Sequence, residues 1–498
     1  MLKILNTDQI KAWDAYTILH EPVASIDLME RACKAFVQWF TAKFVASNKV
    51  GIVCGGGNNG GDGLGIARLL SEWGYPVKVW IVKGSVVESM DFKINKNRLP
   101  KQVTIHTIET TPELQFQGCD ILIDGLFGSG LSRPVEGIYE EVINQINNEE
   151  VVRVSIDIPS GLMADRHSIG ACVKADYTVT FQSPKLAFLL PENEDRVGQW
   201  SVVDIGLKKS YLKEAVSSYF LVEKKDVARS FPERKKFANK GDFGKALLVA
   251  GSYGKMGACI LAARAAMRSG VGLLTAHVPA NGYEIIQLAA PEVMASIDKN
   301  DSWFSGVENV DEFNAIGIGP GLGMNEATVK GFQLLLEKSS GAMVIDADAL
   351  NILSEHRELL HLIPKQSILT PHPGEFKRLV GGWSDDFDKL EKAKELSVNL
   401  GSVIVLKGAH TAIVSPDRAI YFNCTGNPGM ATGGSGDVLT GVLTALLAQG
   451  LPSLNTAIIG VFVHGLAGDI AAFEKGFTSI IASDIISALP EAFKQVIR

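Results

Sequence analysis

Short apolar runs that stop at a glycine- or aspartate-bearing loop and lead into a helical pattern recur along the whole chain, and this alternation admits few architectures. The first are Lys49–Cys54 before Gly55–Leu64, Cys119–Ile123 before Asp124–Pro134, and Val152–Ile156 before Asp157–Leu162. The pattern resumes at Ala246–Ala250, Leu273–Val278, Ala315–Ile318, Met343–Ile345, Ser367–Leu369 and Ser402–Leu406. Such alternation specifies α/β folds with parallel sheets, whose ligands lie beyond the carboxyl ends of the strands. A chain of 498 residues exceeds one ordinary core, so two domains are expected. The charge-rich segment Glu223–Lys240, with E-R-K-K at Glu233–Lys236, reads as a surface linker and divides the chain into domains 1–222 and 223–498. Residues from Asn6 to about Ser47 are helical in pattern, with Thr7 as the N-cap and Ile26, Met29, Ala32, Cys33, Phe36, Val37 and Phe40 on the core face. Thr178–Ser183 and Val202–Leu207 read as later strands of the first half.

Composition narrows the function. With 46% hydrophobic residues, 21% charged residues and 50 glycines the chain reads as folded and rich in tight turns. A net charge of −7 argues against nucleic acid as a partner, so any anionic ligand must be held by local donors. Six cysteines without a C-x-x-C pair suit small buried residues in a reducing compartment. The N-terminus lacks an apolar core of signal-peptide length, and no uninterrupted apolar run reaches spanning length. A cytoplasmic protein without a membrane partner is therefore expected.

Thr425–Gly441, T-G-N-P-G-M-A-T-G-G-S-G-D-V-L-T-G, reads as an anion-binding loop opening a helix at Asp437. Gly433, Gly434 and Gly436 let backbone N–H groups approach an anion, and the helix N-terminus adds partial positive charge. Asp437 would repel a phosphate held there. It could instead accept a proton from a hydroxyl attacking that phosphate, or simply cap the helix.

In the first half, Gly55, Gly57 and Gly60 satisfy G-x-G-x-x-G, yet the next strand, Pro76–Val82, ends at Lys83-Gly84 without the ribose-binding acid of a dinucleotide site. No G-K-[ST] follows, which excludes a Walker A loop. Asn58, Asn59 and Asp62 are hard oxygen donors suited to a cation or to ligand hydroxyls. Asn59, Asp124, Asp157 and Ser160 form one candidate site across three strand ends. Lys185 is either a cation of that site or a solvated lysine.

Through N-N-G-G-D-G, D-G-L-F-G-S-G-L and D-I-P-S-G-L the first half resembles the NAD(P)H-hydrate epimerase family. The second half is similar to the ADP-dependent NAD(P)H-hydrate dehydratases through G-P-G-L-G, T-P-H-P-G-E, K-G-x-x-T and G-G-S-G-D-V-L-T-G. Gly56 and Ser129 depart from the usual pattern. The resemblance implies a Rossmann-like three-layer N-terminal domain and a ribokinase-like C-terminal domain. It implies a potassium ion at Asn59, Asp124 and Ser160. The hydrate would lie against Asn58, Asn59, Gly60, Gly61 and Asp62, against Gly128, Ser129, Gly130, Leu131, Ser132, Arg133 and Pro134, and against Asp157, the acid/base carboxylate. For the second half it implies a hydrate pocket of Ala258, Gly321, His372 and the catalytic Asp437. ADP, with magnesium, would be bound by Lys407, Gly408, Ala409, His410, Thr411 and Gly436. NADH and NADPH hydrates are the implied substrates, and a homo-oligomer is expected. Two other readings stay open: a ribokinase-like kinase of a vitamin precursor with a non-catalytic N-terminal domain, and a first half that serves only as a binding scaffold.

Overall fold

The computed structural model describes residues 1–84, 86–110, 116–231 and 234–497. The chain forms two compact units: Lys3–Ser217 with Asp385–Phe387, and Met1–Leu2 with Ser218–Ser384 and Asp388–Arg498.

The first unit opens with helix Thr7–His20. Asn6, not Thr7, is its cap: the Asn6 side chain accepts the Gln9 N–H at 2.9 Å and the Gln9 side chain accepts the Asn6 N–H at 3.1 Å. The helical stretch expected over 6–47 is two helices, because Pro22 offers no N–H and interrupts it before Ser25–Lys43. The second helix buries Met29, Ala32, Cys33, Phe36, Val37 and Phe40, as their spacing predicts.

Seven parallel strands form the sheet, in the order Thr104–Ile108, Val77–Val82, Val50–Cys54, Ile121–Gly125, Val152–Ile156, Tyr177–Phe181 and Gln199–Val203. The chain reverses across this sheet between Val50–Cys54 and Ile121–Gly125. Neighbouring loops part at such a reversal, and ligands bind there. Two expectations shift. Asp124 lies inside its strand, paired in register with Val53, rather than beyond the strand's end. The closing strand is Gln199–Val203, because Ile205 and Leu207 pack against Leu5, Trp13 and Leu28 instead of pairing.

In the second unit the parallel strands run Met294–Ile297, Leu273–Val278, Lys245–Val249, Ala315–Ile318, Met343–Ile345, Ile368–Leu369 and Val403–Leu406. Thr411–Val414 and Ile420–Asn423 add an antiparallel hairpin, and Tyr219–Leu221 pairs parallel to its outer strand. The reversal falls between Lys245–Val249 and Ala315–Ile318. The expected linker is partly core: Lys224–Ser230 is a helix whose Val227 is fully buried, while Pro232 and Glu233 lie outside the described residues. All six cysteines are free; five are buried and Cys424 is exposed.

Helix Ser435–Ala448 is buried on nearly every side, as its apolar run predicts, and Gly450 follows it at φ +85°. It starts two residues earlier than expected, placing Gly436 and Asp437 in its first turn. Among the described residues one helix, Ser453–Lys475, is long and apolar enough to cross a membrane, but 72% of its apolar window is buried inside the unit. Its polar residues face the functional loops: the buried His464 ring approaches the Ser435 carbonyl at 3.0 Å, and Asp469 accepts from the Gly426 N–H and the Asn427 amide at 3.0 Å each.

Helix Ser435–Ala448 packs closely on Met256–Arg268 because Gly441 has no side chain; a Cβ there would lie 2.0 Å from the Ala262 carbonyl oxygen. Gly441→Ala is expected to cost about 1–3 kcal/mol through overpacking. Thermal unfolding reads this, and an unchanged transition would contradict the packing account.

Candidate functional site

Each unit carries a site at its sheet's reversal. In the first, Asn58–Asp62 form the opening turns of helix Asn58–Glu72 rather than a loop. The glycines there serve backbone packing: a Cβ on Gly60 would lie 1.7 Å from the Gly55 oxygen, and one on Gly55 would lie 2.2 Å from the Leu126 oxygen. Asn58 is exposed, whereas Asn59, Gly60 and Gly61 are buried. Of the loop residues, Gly128, Ser129 and Leu131 are half-buried, and Gly130, Ser132, Arg133 and Pro134 are exposed.

Asn59, Asp124 and Ser160 meet around Phe127. The Asn59 amide donates to the Phe127 oxygen at 2.9 Å, and the Ser160 hydroxyl accepts the Phe127 N–H at 2.9 Å. Asp124 accepts from the Ser160 N–H at 2.8 Å, the Ser160 hydroxyl at 2.5 Å, the Ser155 hydroxyl at 2.9 Å and the Leu126 N–H at 3.2 Å. Burial pushes its carboxyl above the usual range, partly offset by these neutral donors.

Asp157 holds a left-handed backbone, φ +65°, which is strained for a residue with a side chain. Its Oδ1 accepts from Lys185 Nζ at 2.5 Å, the Phe181 N–H at 3.1 Å and the Thr180 hydroxyl at 3.2 Å. Lys185 is 1% exposed, so it is a buried partner of Asp157 and not a solvated lysine. Asp62 is pushed well above the usual carboxylate range by burial and by the charges of Asp157, Asp14 and Asp91. The sequence reading missed Asp14, on helix Thr7–His20. Burial and the Asp157 charge, against Lys185, raise it to about 6. No local motif marks it.

In the second unit the glycine turn delivers Gly434 at φ +91° as the cap of helix Ser435–Ala448, with no side chain filling the cap. The Ser435 N–H reaches the Thr432 carbonyl at 3.4 Å, and the absence of a side-chain cap leaves the other N–H groups of this turn to an anion. Asp437 makes no hydrogen bond or ion pair among the described residues and does not cap the helix. Burial and the charges of Asp346 and Asp348, against Lys407, raise it to about 6.

Beneath it lies an ion pair. Lys407 Nζ donates to Asp346 Oδ1 at 2.8 Å, and the Thr440 hydroxyl donates to Asp346 Oδ2 at 2.7 Å. Burial pushes Asp346 up, but Lys407 and its hydrogen bonds outweigh this and hold the carboxyl below the usual range. Asp346 directly follows strand Met343–Ile345, at the start of D-A-D-A-L-N over residues 346–351, a stretch that carries no recognisable motif. A Cβ on Gly436 would lie 3.6 Å from Lys407 Nζ and 3.8 Å from Asp346 Oδ2, so Lys407, Gly436 and Asp437 converge.

Gly408 and Ala409 are exposed at the hairpin turn, which the Gly408 N–H and the Thr411 hydroxyl close at 3.4 Å; His410 and Thr411 are half-buried. Gly321, at φ +61°, faces Ala258: a Cβ on it would lie 3.1 Å from the Ala258 methyl. His372 caps helix Pro373–Val380, its Nδ1 accepting the Gly374 N–H at 3.0 Å. Burial and the charges of Lys407 and Arg378 lower its pKa, and its Nε2 lies 3.4 Å from Glu375 Oε1.

These two sheets and their sites define an α/β enzyme with a Rossmann-like unit and a ribokinase-like unit. The family described as NAD(P)H-hydrate dehydratase matches residues 246–491, and the family described as YjeF-related protein N-terminus matches residues 25–187. The bifunctional NAD(P)H-hydrate repair enzyme of Thermofilum pendens is 35% identical over 99% of this chain and 96% of its own. That of Moorella thermoacetica is 36% identical over 95% and 93%. A ribokinase-like superfamily protein from Enterococcus faecalis V583 superposes with a TM-score of 0.51 at 28% identity, covering 57% of this chain and 98% of that one. The chain belongs to the family of bifunctional NAD(P)H-hydrate repair enzymes.

The electrostatic account of Asp437 makes a direct prediction. Its carboxyl carbon, followed by NMR, should titrate near 6, and Asp346→Asn should move the midpoint down by removing a negative neighbour and releasing Lys407. A midpoint that stays in place would contradict the account.

Proposed function

We propose that the domain 223–498 uses ADP to dehydrate the S form of hydrated NADH or NADPH, and that the domain 1–222 interconverts the R and S hydrates. The observation that carries this reading is Asp437: an unpaired, half-buried carboxylate beside an anion cradle and the Lys407–Asp346 ion pair.

The hydroxyl on the hydrated ring is a poor leaving group and a phosphate is a good one. The β-phosphoryl of ADP is held by the N–H groups of Gly433–Gly436 and faces Lys407. Asp437 takes the hydroxyl proton as its oxygen attacks phosphorus, and AMP departs. The ring nitrogen then expels phosphate, and loss of a neighbouring proton restores the dihydronicotinamide. Ala258, Gly321 and His372 shape the hydrate pocket, and Gly408–Thr411 lie against the nucleotide. Among the described residues no group of three His, Cys, Asp or Glu side chains is placed to hold a metal. Magnesium would therefore arrive on the nucleotide, keep most of its waters and neutralise phosphate charge.

In the first site, opening the ring at the carbon that bears both nitrogen and hydroxyl, then closing it on the other face, inverts that centre. Asp157, oriented by Lys185, exchanges the hydroxyl proton. Asn58–Asp62 and Gly128–Pro134 border the hydrate. Asn59, Asp124 and Ser160 present an amide, a carboxylate and a hydroxyl oxygen beside the Phe127 carbonyl, and Asp124 is bonded only by neutral donors. This set of hard oxygens around a buried carboxylate fits a potassium ion, which would supply compensating charge. We place the protein in the cytoplasm as a homo-oligomer.

Asp437→Asn is expected to leave nucleotide binding nearly intact and to abolish dehydration of pure S hydrate, because an amide cannot take the proton. In the wild type the base must be ionised, so the rate should rise as pH increases through about 6. Near wild-type dehydration by the variant would remove Asp437 from its role. Asp157→Asn should spare S-hydrate dehydration while slowing use of the R form by about a hundredfold; equal loss of both would show that the two sites are not independent.

A further inference from the structure

Helix Thr7–His20 precedes the residues that match either family, which begin at residue 25. It nevertheless presents one face to the first site. The Thr7 hydroxyl donates to the Ser129 carbonyl at 3.2 Å, tying the helix start to the loop that borders the hydrate. Lys11 is one turn on, its Cε 3.6 Å from where a Cβ on Gly130 would stand. Asp14 comes next on that face, at the i, i+4, i+7 spacing of a helical stripe. Trp13 and Thr17 fix the opposite side: the Trp13 indole donates to the Lys208 carbonyl at 2.9 Å, and both residues are buried.

Asp14 therefore lies on the helix face that meets the Ser129–Gly130 loop, within reach of the charges delivered by the strand ends. Asp157 and Lys185 are near enough for their charges to act on it, and Asp14 acts in turn on Asp62. Asp14 and Asp157 thus share one buried ammonium, and that ammonium is bonded to Asp157. Asp62 is turned toward the core, where the Cys33 thiol lies 4.0 Å from its carboxyl and 3.4 Å from its backbone oxygen. Asp14 has no hydrogen bond or ion pair among the described residues. Crowding of like charges splits such carboxylates into one that stays ionised and one that carries a proton near neutral pH, which is the division acid/base chemistry needs.

We propose that Asp14 is the second acid/base group of the epimerase site, exchanging a proton with the ring nitrogen while Asp157 exchanges one with the hydroxyl. This rests on the epimerase reading of the first unit. Asp157 takes the hydroxyl proton, the carbon–oxygen double bond forms, and the carbon–nitrogen bond breaks with its electron pair passing to nitrogen. Asp14 protonates that nitrogen, giving an open-chain aldehyde. After rotation about the adjacent carbon–carbon bond, nitrogen attacks the other face and returns its proton to Asp14. The alkoxide recovers its proton from Asp157. No redox change occurs, and both carboxyls end as they began. Lys11 reaches the Gly130 loop, Asp165 accepts the Thr7 N–H at 3.0 Å, and among the described residues Asp157, Lys185 and Asp62 are the charged groups that interact with Asp14.

The test uses the full-length chain and pure R hydrate, with spontaneous epimerisation subtracted, and dehydration of pure S hydrate as the folding control. Asp14 must hold a proton to deliver it, so wild-type epimerisation should fall as pH rises through about 6. Asp14→Asn should lower the rate at pH 6 by about a hundredfold and abolish that limb, with S-hydrate dehydration unchanged. Asp14→Glu should recover the limb and part of the rate, and it keeps the test open if the amide variant fails the folding control. Asp14→Asn that epimerises at the wild-type rate with the limb in place would overturn the proposal, as would a limb that disappears in Asp62→Asn alone. Wild-type protein that does not epimerise at all would instead remove the epimerase reading, and the proposal with it.

Discussion

Parallel pairing is the constraint on which both units depend. When strands run the same way, their carboxyl ends emerge at one edge of the sheet, and the loops that follow are collected there whatever their separation in the chain. Asp124, Asp157 and Lys185 are brought to one place in this way, as are Asp346, Lys407 and the turn before Ser435. The buried core of each sheet holds these ends rigid, so charged groups can be kept at short distances that isolated loops would not maintain.

What the sheets collect is an excess of carboxylate, and the two units handle it in the same manner. In each, one lysine is spent on one aspartate: the buried Lys185 on Asp157 and the half-buried Lys407 on Asp346. In each, a second aspartate is left without such a partner and is lifted to about 6, Asp14 in the first unit and Asp437 in the second. Burial dominates both shifts, and the neighbouring paired carboxylate adds to it. A group that changes charge near neutral pH is what proton transfer to or from a substrate hydroxyl or nitrogen requires. The lysine therefore acts twice, compensating its own partner while leaving the other acid exposed to that partner's field.

Much of this was legible in the sequence where the elements are central and fully buried. Val152–Ile156, Leu273–Val278, Ala315–Ile318 and Met343–Ile345 stand where their apolar runs place them, because a central parallel strand is buried on both faces and shows an unbroken signal. Edge strands were not read: Thr104–Ile108 has four exposed residues, and Met294–Ile297 has exposed residues at both ends, so neither has a continuous apolar run. The hairpin strands Thr411–Val414 and Ile420–Asn423 went unread although S-P-D-R between them is a turn signal. The glycine motifs stand beside both groups of converging side chains, Asp124 with Asp157 and Asp346 with Lys407. Asp14 carries no motif, since its importance comes only from packing helix Thr7–His20 over residues more than a hundred positions away. Asp346 was visible at a strand end, but nothing local announces that Lys407 will reach it.

The central claim is that the second site phosphorylates a hydroxyl only to discard the phosphate. The most direct measurement follows the wild-type protein with mixed hydrates and ADP, recording recovery of the dihydronicotinamide absorbance alongside phosphate release. The account predicts that both rise together, one phosphate for each ring restored, until R and S forms are alike consumed. Accumulation of a phosphorylated product without recovered absorbance would contradict it and identify the second unit as an ordinary kinase.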